Sequence, residues 1–428
     1  MLCNAARYCA LVVLLQIAAA VVAHHAAWST PLQTTFGIGT RSKAMGGAGS
    51  VLAEDFSAVY ANPAGLSFCS RSQIALGYHH IASQLSVKTQ QQLDAAPLQF
   101  GHYDRMHVGL CFPAPLRLSL GLFFESGFLQ PARMRVQSQN PQPQFLLYDT
   151  TLTQPSMMGG LALRIVRSLS VGIGLGTAVS THVNTSANVQ VVPPNLEMVD
   201  LDGELSPSLL LVGGLTYQPA EGWRLALVYR TATFSSFNSE ANVDIKAGTL
   251  QGIPVRLISK LKMAYAPMQL VAGALLSPLR VLRVAVELTW LRWSKHEGPF
   301  PKTIMEPELI GSQQPETIAF QDTFVPRMGM EYSWRDMLAI RGGYAYHMAV
   351  TKLPTQQTNV LDGNTHFFTT GAGYRPPRIK KVQLKLDAFG QVGYMPDTSV
   401  NKPTQPEPNQ YTFGGVVWDT GLTVGVSY

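Results

Sequence analysis

Hydrophobic and polar residues alternate along many segments of this chain. Residues 116–125 (LRLSLGLFFE) place a large apolar side chain at nearly every second position, and residues 223–230, 282–290 and 382–388 repeat the pattern. Successive side chains of a β-strand point to opposite faces, so each segment has one apolar face and one mixed face. The alternating segments run for about 11–15 residues, which is longer than the usual ~5–6 of soluble strands and suits a tilted membrane strand.

The alternation predicts fourteen strands arranged as hairpins. We expect them near 73–86, 101–113, 116–128, 152–166, 168–182, 205–218, 222–235, 265–277, 280–293, 324–334, 337–348, 364–375, 380–394 and 413–428. Short turns alternate with longer polar links, which include 129–151, 183–204, 236–264 and 294–323. An even strand count, with short periplasmic turns at one end and long external loops at the other, is typical of bacterial membrane barrels. The predicted fold is therefore all-β, a 14-stranded antiparallel transmembrane β-barrel.

The composition agrees with a membrane barrel. Charged residues make up 14% of the chain, well below the ~25% of soluble domains, although 46% is hydrophobic. A large secreted β-protein is the alternative that such a composition leaves open. The net charge of +6 is spread along the chain without a basic cluster, so no nucleic-acid partner is expected.

The first 27 residues have the form of a secretory signal peptide. Arg7 precedes a short apolar run at 9–23, and small residues follow at Ala23 and Ala27. The run is shorter than the ~20 residues of a membrane-spanning helix, and a retained anchor is the alternative. Cleavage after Ala27 is favoured and would leave Trp28 at the mature N-terminus.

Two cysteines, Cys69 and Cys111, follow the leader. Cys69 precedes the first predicted strand and Cys111 lies near the end of the second, so an antiparallel pair would bring them close. They could form one disulfide or remain two packed thiols.

Residues 28–70 do not alternate as strands do. Five glycines fall between positions 37 and 49, among small and polar residues, and Phe36 and Phe56 flank them. Such a segment is too rich in glycine for a stable independent helix and too long for a simple linker. It could fold inside the barrel lumen, or it could be a flexible periplasmic tail.

Several runs resemble one known family. Residues 37–49 (GIGTRSKAMGGAG) are followed by residues 62–66 (NPAGL), and residues 324–332, 338–346 and 371–374 match near the other end. These runs are similar to those of the FadL-type (OmpP1/FadL/TodX) transporters of the cell outer membrane, which carry long-chain fatty acids and other hydrophobic molecules. The resemblance implies a signal peptide at 1–27, an N-terminal luminal hatch at 28–70 and a barrel at 71–428.

The resemblance also implies a route for the cargo. A hydrophobic ligand would enter an external groove, reach a pocket above the hatch, and leave after the hatch shifts. Asn62, Pro63 and Ala64 would shape the hatch turn and gate the route, since proline restricts one dihedral and asparagine tolerates unusual ones. Trp28 or Phe36 would plug the pocket.

A fatty-acid carboxylate needs a basic partner in an apolar pocket. The predicted candidates for this contact are Arg117, Arg230, Arg327, Arg341 and Lys385, and Arg224 and Arg283 share their predicted lumen face. The alternative is that the lumen acids Glu125, Glu287, Glu331 and Asp387 pair with these cations and brace the wall. The strand at 171–182 lacks the basic residues that fatty-acid members carry there, which leaves uncharged hydrophobic ligands open.

Other functions are weighed against transport. A surface barrel whose external loops bind a host or another protein is the first rival, and an outer-membrane lipid hydrolase is the second, although no nucleophile elbow supports it. No metal site and no cofactor are expected, and the acidic run 200–204 is interpreted as a solvated turn. The expected partners are hydrophobic small molecules, outer-membrane lipids and, through residues 418–428, which resemble the terminal strand of outer-membrane barrels, the barrel-assembly machinery. The chain is expected to act as a monomer.

Overall fold

A computed structural model describes most of the chain. The described residues are 30–89, 102–128, 133–134, 144–145, 147, 152–153, 155–177, 181–192, 195–245, 253–298, 302–306, 318–354, 359–403 and 409–428. The predicted signal peptide at 1–27 and Trp28 lie outside these residues.

The strands account for most of the described chain. In chain order they are β1 (Gln73–Thr89), β2 (Tyr103–Pro113), β3 (Leu118–Gly127), β4 (Arg133–Met134), β5 (Gln144–Phe145), β6 (Leu152–Thr153), β7 (Ser156–Val166), β8 (Leu169–Thr177), β9 (Thr181–Val192), β10 (Asn195–Pro207), β11 (Leu210–Tyr217), β12 (Trp223–Arg230), β13 (Thr233–Ile245), β14 (Ile253–Ala266), β15 (Gln269–Leu279), β16 (Leu282–Leu291), β17 (Lys302–Glu306), β18 (Thr323–Trp334), β19 (Leu338–His347), β20 (Val360–Leu361), β21 (Thr365–Tyr374), β22 (Gln383–Asn401) and β23 (Gln410–Ser427).

Fourteen of these strands close into one barrel. The order is β1-β2-β3-β7-β8-β11-β12-β15-β16-β18-β19-β21-β22-β23, and β23 pairs back to β1 with Ile81 opposite Asp419. Each barrel strand overlaps one of the fourteen predicted strands, so the predicted fold class is confirmed. Closure leaves no unpaired sheet edge, which is the condition for crossing a hydrocarbon layer with strands.

The barrel strands have the predicted two faces. Along β12, exposed and buried residues alternate strictly, and Leu225, Leu227 and Tyr229 point outward with 42–55% of their surface exposed. Arg224 and Arg230 on the same strand point inward and are buried. The apolar face therefore faces the surroundings and the polar face faces the interior, the reverse of a soluble protein.

The long links contain structure that the sequence did not predict. Five strands from these links form a second sheet in the order β17-β14-β13-β10-β9. Segments such as β9 (THVNTSANVQVV) do not show the long apolar alternation of a membrane strand, so alternation alone does not identify them as strands. Their pairing comes from backbone hydrogen bonds between links that the barrel brings together, for example Leu201 opposite Ala241.

Residues 30–70, hereafter the inner segment, fill the barrel lumen. The segment contains the helices Thr30–Phe36, Thr40–Ala44, Gly49–Leu52 and Ala58–Ala61 and the 3₁₀ helix Pro63–Phe68. It contacts strands on opposite sides of the barrel, because Met45 lies against Gly329 and Leu66 against Gly121. Among the described residues, no helix has both the length and the apolar character needed to cross a membrane.

The apolar core divides into clusters along the barrel interior. The largest joins the inner segment to the wall and includes Phe56, Val59, Leu66 and Phe123. A second cluster surrounds Phe36 toward the long-link end and includes Ile81, Leu85, Phe145, Phe367, Met395 and Phe413. The inner segment is thus part of the packed core of the protein.

Candidate functional site

Three cavities follow one another through the barrel, and the inner segment lies between them. The outer cavity, near the long-link end, has a volume of about 30 Å³, and the central cavity has about 40 Å³. They share the lining residues Thr34, Thr35 and His347. The lower cavity, at the short-turn end, has about 510 Å³ and touches Arg41 and Glu54.

The two upper cavities are too small for a long ligand. A water molecule occupies about 30 Å³ of liquid, whereas ligand pockets run to about 300–1,000 Å³. The central cavity is bounded below by residues of the inner segment that include Ser42, Gly46 and Gly49. Neither cavity has room for a long ligand while the inner segment is in this position, an arrangement that we call the closed state.

The Asn62-Pro63-Ala64 turn is locked to the barrel wall. Asn62 is fully buried; its Nδ2 donates to the Ser50 carbonyl and to Thr216 Oγ1, both at 2.9 Å, and its Oδ1 accepts from the Ala64 amide at 3.1 Å. The Asn62 side chain thus joins two helices of the inner segment to β11. Proline at the first position of the 3₁₀ helix needs no amide partner, which suits Pro63 to that place.

Glycines in the wall permit this close approach. A β-carbon added at Gly172 would collide with the backbone of Pro63 and Ala64, and one at Gly214 would collide with the side chain of Asn62. Gly213 is the neighbouring glycine on β11, and a β-carbon there would meet nothing within 4 Å. The wall is thus shaped to receive the turn at these two positions.

Arg230 donates hydrogen bonds directly to the inner segment. Its guanidinium donates to the carbonyls of Tyr60 at 3.0 Å and Ala61 at 2.8 Å, and to Gln269 Oε1 at 2.8 Å. These carbonyls belong to the last turn of the helix Ala58–Ala61, which otherwise leaves acceptors unpaired. Arg230 lines the central cavity, but its donors are directed to the helix end.

Arg327 is the other basic candidate that lines the central cavity. Its Nη1 lies 3.4 Å from Glu287 Oε1 and donates to Thr289 Oγ1 at 2.6 Å. Glu287 in turn accepts a hydrogen bond of 2.8 Å from the amide of Ser50 in the inner segment. The charge of Arg327 is therefore already balanced in the closed state.

Arg341 and Lys385 belong to a buried ion-pair network below the inner segment. Glu331 accepts two hydrogen bonds of 2.8 Å from Arg41 and one of 2.7 Å from Arg341, and Arg341 also donates to Asp387 at 2.6 Å. Lys385 lies 2.9 Å from Asp387. The network ties Arg41 of the inner segment to three barrel strands, β18, β19 and β22.

Glu54 extends this network within the inner segment. It lies 3.0 Å from both Arg41 and Arg224. Burial alone would raise the pKa of Glu54, but the guanidinium groups of Arg41, Arg224 and Arg283 outweigh it and lower the pKa to about 2. Burial also opposes the charge of Arg41, yet Glu331 and Glu54 raise the pKa of Arg41 above its ordinary value. The pair stays ionised at any physiological pH.

A second anchor holds the other side of the inner segment. Lys43 Nζ lies 2.7 Å from Asp419 on β23, and His79 on β1 lies 3.0 Å from Asp419 and 2.8 Å from Glu125. Gln33 donates to Glu125 at 3.0 Å. The charged groups at these positions are paired, as a low-dielectric interior requires, whereas the Gln33 Oε1 atom is buried without a partner.

The remaining predicted site residues occupy different places. Phe36 is buried beside Phe367, with ring centroids 5.8 Å apart at right angles, and it lines the central cavity.

Arg117 was predicted to face the lumen, and that placement is wrong. Residues 116 and 117 form the turn before β3 with φ of 61° and 64°, and Arg117 is exposed there.

Cys69 and Cys111 are joined as a disulfide in the structure. The bond connects the end of the inner segment to β2. Because Gln73 pairs with Cys111 in the β1–β2 ladder, the two cysteines approach as the sequence positions suggested. The C-terminal end of the inner segment is therefore attached covalently to the wall.

Sequence reasoning missed the charged residues of the inner segment. Arg41 and Lys43 lie within the glycine-rich run 37–49, yet their partners Glu331 and Asp419 are 290 and 376 residues away. One signal in the sequence could have pointed to this contact: Asp419 falls at an inward-facing position in the alternation of the last strand. No group of three or more metal-binding side chains occurs among the residues that the structure describes.

Comparison with known proteins identifies the family. The model of the family described as outer membrane protein transport protein (OMPP1/FadL/TodX) matches residues 144–405, which is more than half of the chain. The chain belongs to the OmpP1/FadL/TodX family. It is an outer-membrane protein, and the short-turn end of the barrel faces the periplasm.

Relatives of this OmpP1/FadL/TodX member agree in length and fold. It is 24% identical over 382 residues to alkane uptake protein A of Marinobacter nauticus, covering 83% of this chain and 82% of that protein. A Pseudomonas aeruginosa FadL homologue has a TM-score of 0.59 at 16% identity, with 91% and 97% of the two chains covered. The toluene transporter TodX of P. putida has a TM-score of 0.57 at 14% identity, with 92% and 99% covered.

Proposed function

We propose that this protein carries uncharged hydrophobic molecules, such as hydrocarbons, across the outer membrane by passive diffusion gated by the inner segment. The inner segment acts as the hatch. In this division the leader spans 1–27, the hatch 28–70 and the barrel 71–428. Asn62, Pro63 and Ala64 hold the hatch closed, and no bond is made or broken in the process.

The observation that carries the proposal is that both guanidinium groups lining the central cavity already have hydrogen-bond partners. Arg327 faces Glu287, and Arg230 is engaged by two helix carbonyls and Gln269. A carboxylate entering this cavity would have to displace one of these partners and leave it buried without compensation, at a cost of several kcal/mol. An uncharged ligand has no such requirement.

The outer cavity is also suited to uncharged ligands. Tyr265 and Trp293 line it, and each packs against a ring that does not: His296 stacks on Tyr265 at 4.4 Å, and Phe320 stacks on Trp293 with ring centroids 6.2 Å apart. Burial lowers the pKa of His296 to about 4, so its ring is neutral at physiological pH. The aromatic cluster at this cavity therefore carries no charge.

The relatives support the same class of cargo. One relative is an alkane uptake protein, and proteins of similar fold include a toluene transporter and a monoaromatic hydrocarbon channel. We extend this to the present chain as part of the proposal. Outer-membrane lipids and, through β23, the barrel-assembly machinery are proposed as its further partners, and it is proposed to act as a monomer.

Long-chain fatty acids are the second candidate cargo. Arg327 favours it, because this guanidinium borders the central cavity and has one carboxylate partner, Glu287, at 3.4 Å. If the hatch moves, Ser50 would withdraw its hydrogen bond from Glu287, and the Arg327–Glu287 pair would rearrange. A fatty carboxylate could then take the place of Glu287.

The test compares two ligands of equal chain length. Binding of radiolabelled hexadecane and palmitate to the purified full-length protein would be measured at pH 7.5, for the wild type and Arg327→Gln. Arg292→Gln is the matched control, because Arg292 is exposed beyond the end of β16. Saturable hexadecane binding that exceeds palmitate binding, and that Arg327→Gln leaves unchanged, is expected.

Two results would contradict this expectation. Stronger binding of palmitate, lost in Arg327→Gln but kept in Arg292→Gln, would replace the uncharged cargo with fatty acids. Saturable binding of neither ligand by folded protein would refute hydrophobic transport and favour a role of the external links in binding another protein.

A further inference from the structure

The periplasmic turns of the barrel carry an unusual concentration of positive charge. All six short turns lie within the described residues, and five of them carry a cation at or beside the centre. These are Arg117, Arg167, Arg280, Arg335 and the pair Lys380–Lys381. The sixth turn, between β11 and β12, contains Glu221 instead.

Backbone conformation makes these cations notable. Arg117, Arg335 and Lys380 have φ of 64°, 52° and 57°. This left-handed region strains most side chains, and hairpin turns that require it usually contain Asn or Gly. A strained position occupied by a larger residue points to a use for its side chain.

The charge is densest on two neighbouring turns. Arg335 lies in the β18–β19 turn, and Arg375, Arg378, Lys380 and Lys381 lie in the β21–β22 turn, with Asp336 as the acidic residue among them. The Arg375 amide donates to the Met337 carbonyl at 2.7 Å, which joins the two turns. No carboxylate of the described chain forms an ion pair with any of the five cations.

Exposed apolar side chains lie directly beside the cations. Leu116, Leu279 and Ile379 have 85%, 60% and 76% of their surface exposed, and they precede Arg117, Arg280 and Lys380 in the chain. The Arg335 guanidinium lies 5.0 Å from the ring centroid of Trp334, which is itself 52% exposed. A surface that contacts only water would not be expected to expose this many large apolar side chains.

The depth of the turns matches the phosphate layer. Between Phe324 and Trp334 the outward face of β18 rises about 26 Å, taking ~3.4 Å per residue and a tilt of ~40°. This equals the ~25 Å apolar band of an outer-membrane barrel. Arg335 therefore follows directly after the band, where lipid phosphates lie, and the apolar turn residues reach the acyl boundary.

We propose that these periplasmic turns form a binding surface for anionic glycerophospholipids of the inner leaflet. The five cations on the two joined turns would pair with headgroup phosphates, while Ile379 and Trp334 contact the acyl chains. Arg117, Arg167 and Arg280 extend the surface around the rim. The proposal concerns the periplasmic rim of the barrel, where Arg335, Arg375 and Arg378 also border the lower cavity, and it does not depend on the identity of the cargo.

Native mass spectrometry of the full-length protein would test the surface. The protein would be equilibrated with equal amounts of phosphatidylethanolamine, phosphatidylglycerol and cardiolipin, and the retained lipids counted for the wild type and R378Q/K380Q/K381Q. The control R292Q/K295Q/K352Q removes three exposed cations at the extracellular end. Heat-modified mobility in gels would establish that both variants are folded.

The wild type is expected to retain the two anionic lipids in preference to phosphatidylethanolamine. The periplasmic triple variant should lose at least about tenfold of that preference, since each basic residue near a membrane surface contributes a several-fold factor, and the control should stay within twofold. Equal retention of all three lipids by the wild type would overturn the proposal. So would an equal loss in both variants, or displacement of the lipids by soluble glycerol phosphate.

Discussion

Replacing Asn62 by alanine should loosen the inner segment without unfolding the barrel. The Asn62 side chain makes three hydrogen bonds of 2.9–3.1 Å, to Ser50, Thr216 and Ala64, and it is fully buried. Its removal leaves a carbonyl and an amide without partners in the core. At roughly 1 kcal/mol for each lost hydrogen bond, with a further penalty for unpaired buried groups, the closed state should lose about 2–4 kcal/mol.

Hydrogen exchange measures this loss where it occurs. Peptides covering residues 49–66 should exchange about 30- to 700-fold faster in Asn62→Ala, because local opening limits exchange of buried amides and each 1.4 kcal/mol is a factor of ten. Peptides from β18 and β19 should be unaffected, since the barrel ladders do not depend on Asn62. Asn238→Ala, at an exposed position on β13, is the matched control.

A small effect would refute this reasoning. Acceleration below about threefold in residues 49–66 would mean that Asn62 does not restrain the segment and that the ion pairs hold it closed. Equal acceleration throughout the barrel would mean that the inner segment and the wall open as one cooperative unit.

Three further predictions concern other contacts of the closed state. Gly172→Ala should displace Pro63 and raise hexadecane uptake by reconstituted vesicles, whereas Gly213→Ala, which meets nothing within 4 Å, should leave uptake at the wild-type level. Glu331→Gln should lower the free energy of unfolding in urea by about 2–3 kcal/mol, because Arg41 and Arg341 each lose one of their two carboxylate partners; an unchanged midpoint would contradict the network. Burial raises the pKa of the Asp362 carboxyl to about 7, above its ordinary 3.8. The link between β19 and β21, which contains Asp362, is therefore most stable below pH 4 and loses stability as the pH rises through 7. Exchange at 348–354, corrected for intrinsic rates, should therefore be faster at pH 8 than at pH 6, and Asp362→Asn should remove the difference.

Part of the candidate site could be read from local sequence. The two-residue alternation along β12 and β18 places Arg230, Arg327 and Glu331 on the inner face, because successive side chains of a strand point to opposite faces. The same reasoning failed for Arg117, since the left-handed turn at 116–117 begins one residue pair before the strand and removes its side chain from the alternation. The Asn-Pro-Ala turn was recognised by resemblance, but its contacts with Ser50 and Thr216 were not.

The sequence by itself determined the barrel, its strand count and its membrane-facing surface, because these depend on a two-residue period and on turn positions that are local properties of the chain. Only the tertiary structure decided which charges compensate one another. Arg41 meets Glu331 and Lys43 meets Asp419 across several hundred residues of chain, because closure of the barrel brings the first and last strands together around the inner segment. The size of the upper cavities and the partners of Arg230 and Arg327 at the central one follow from that closure.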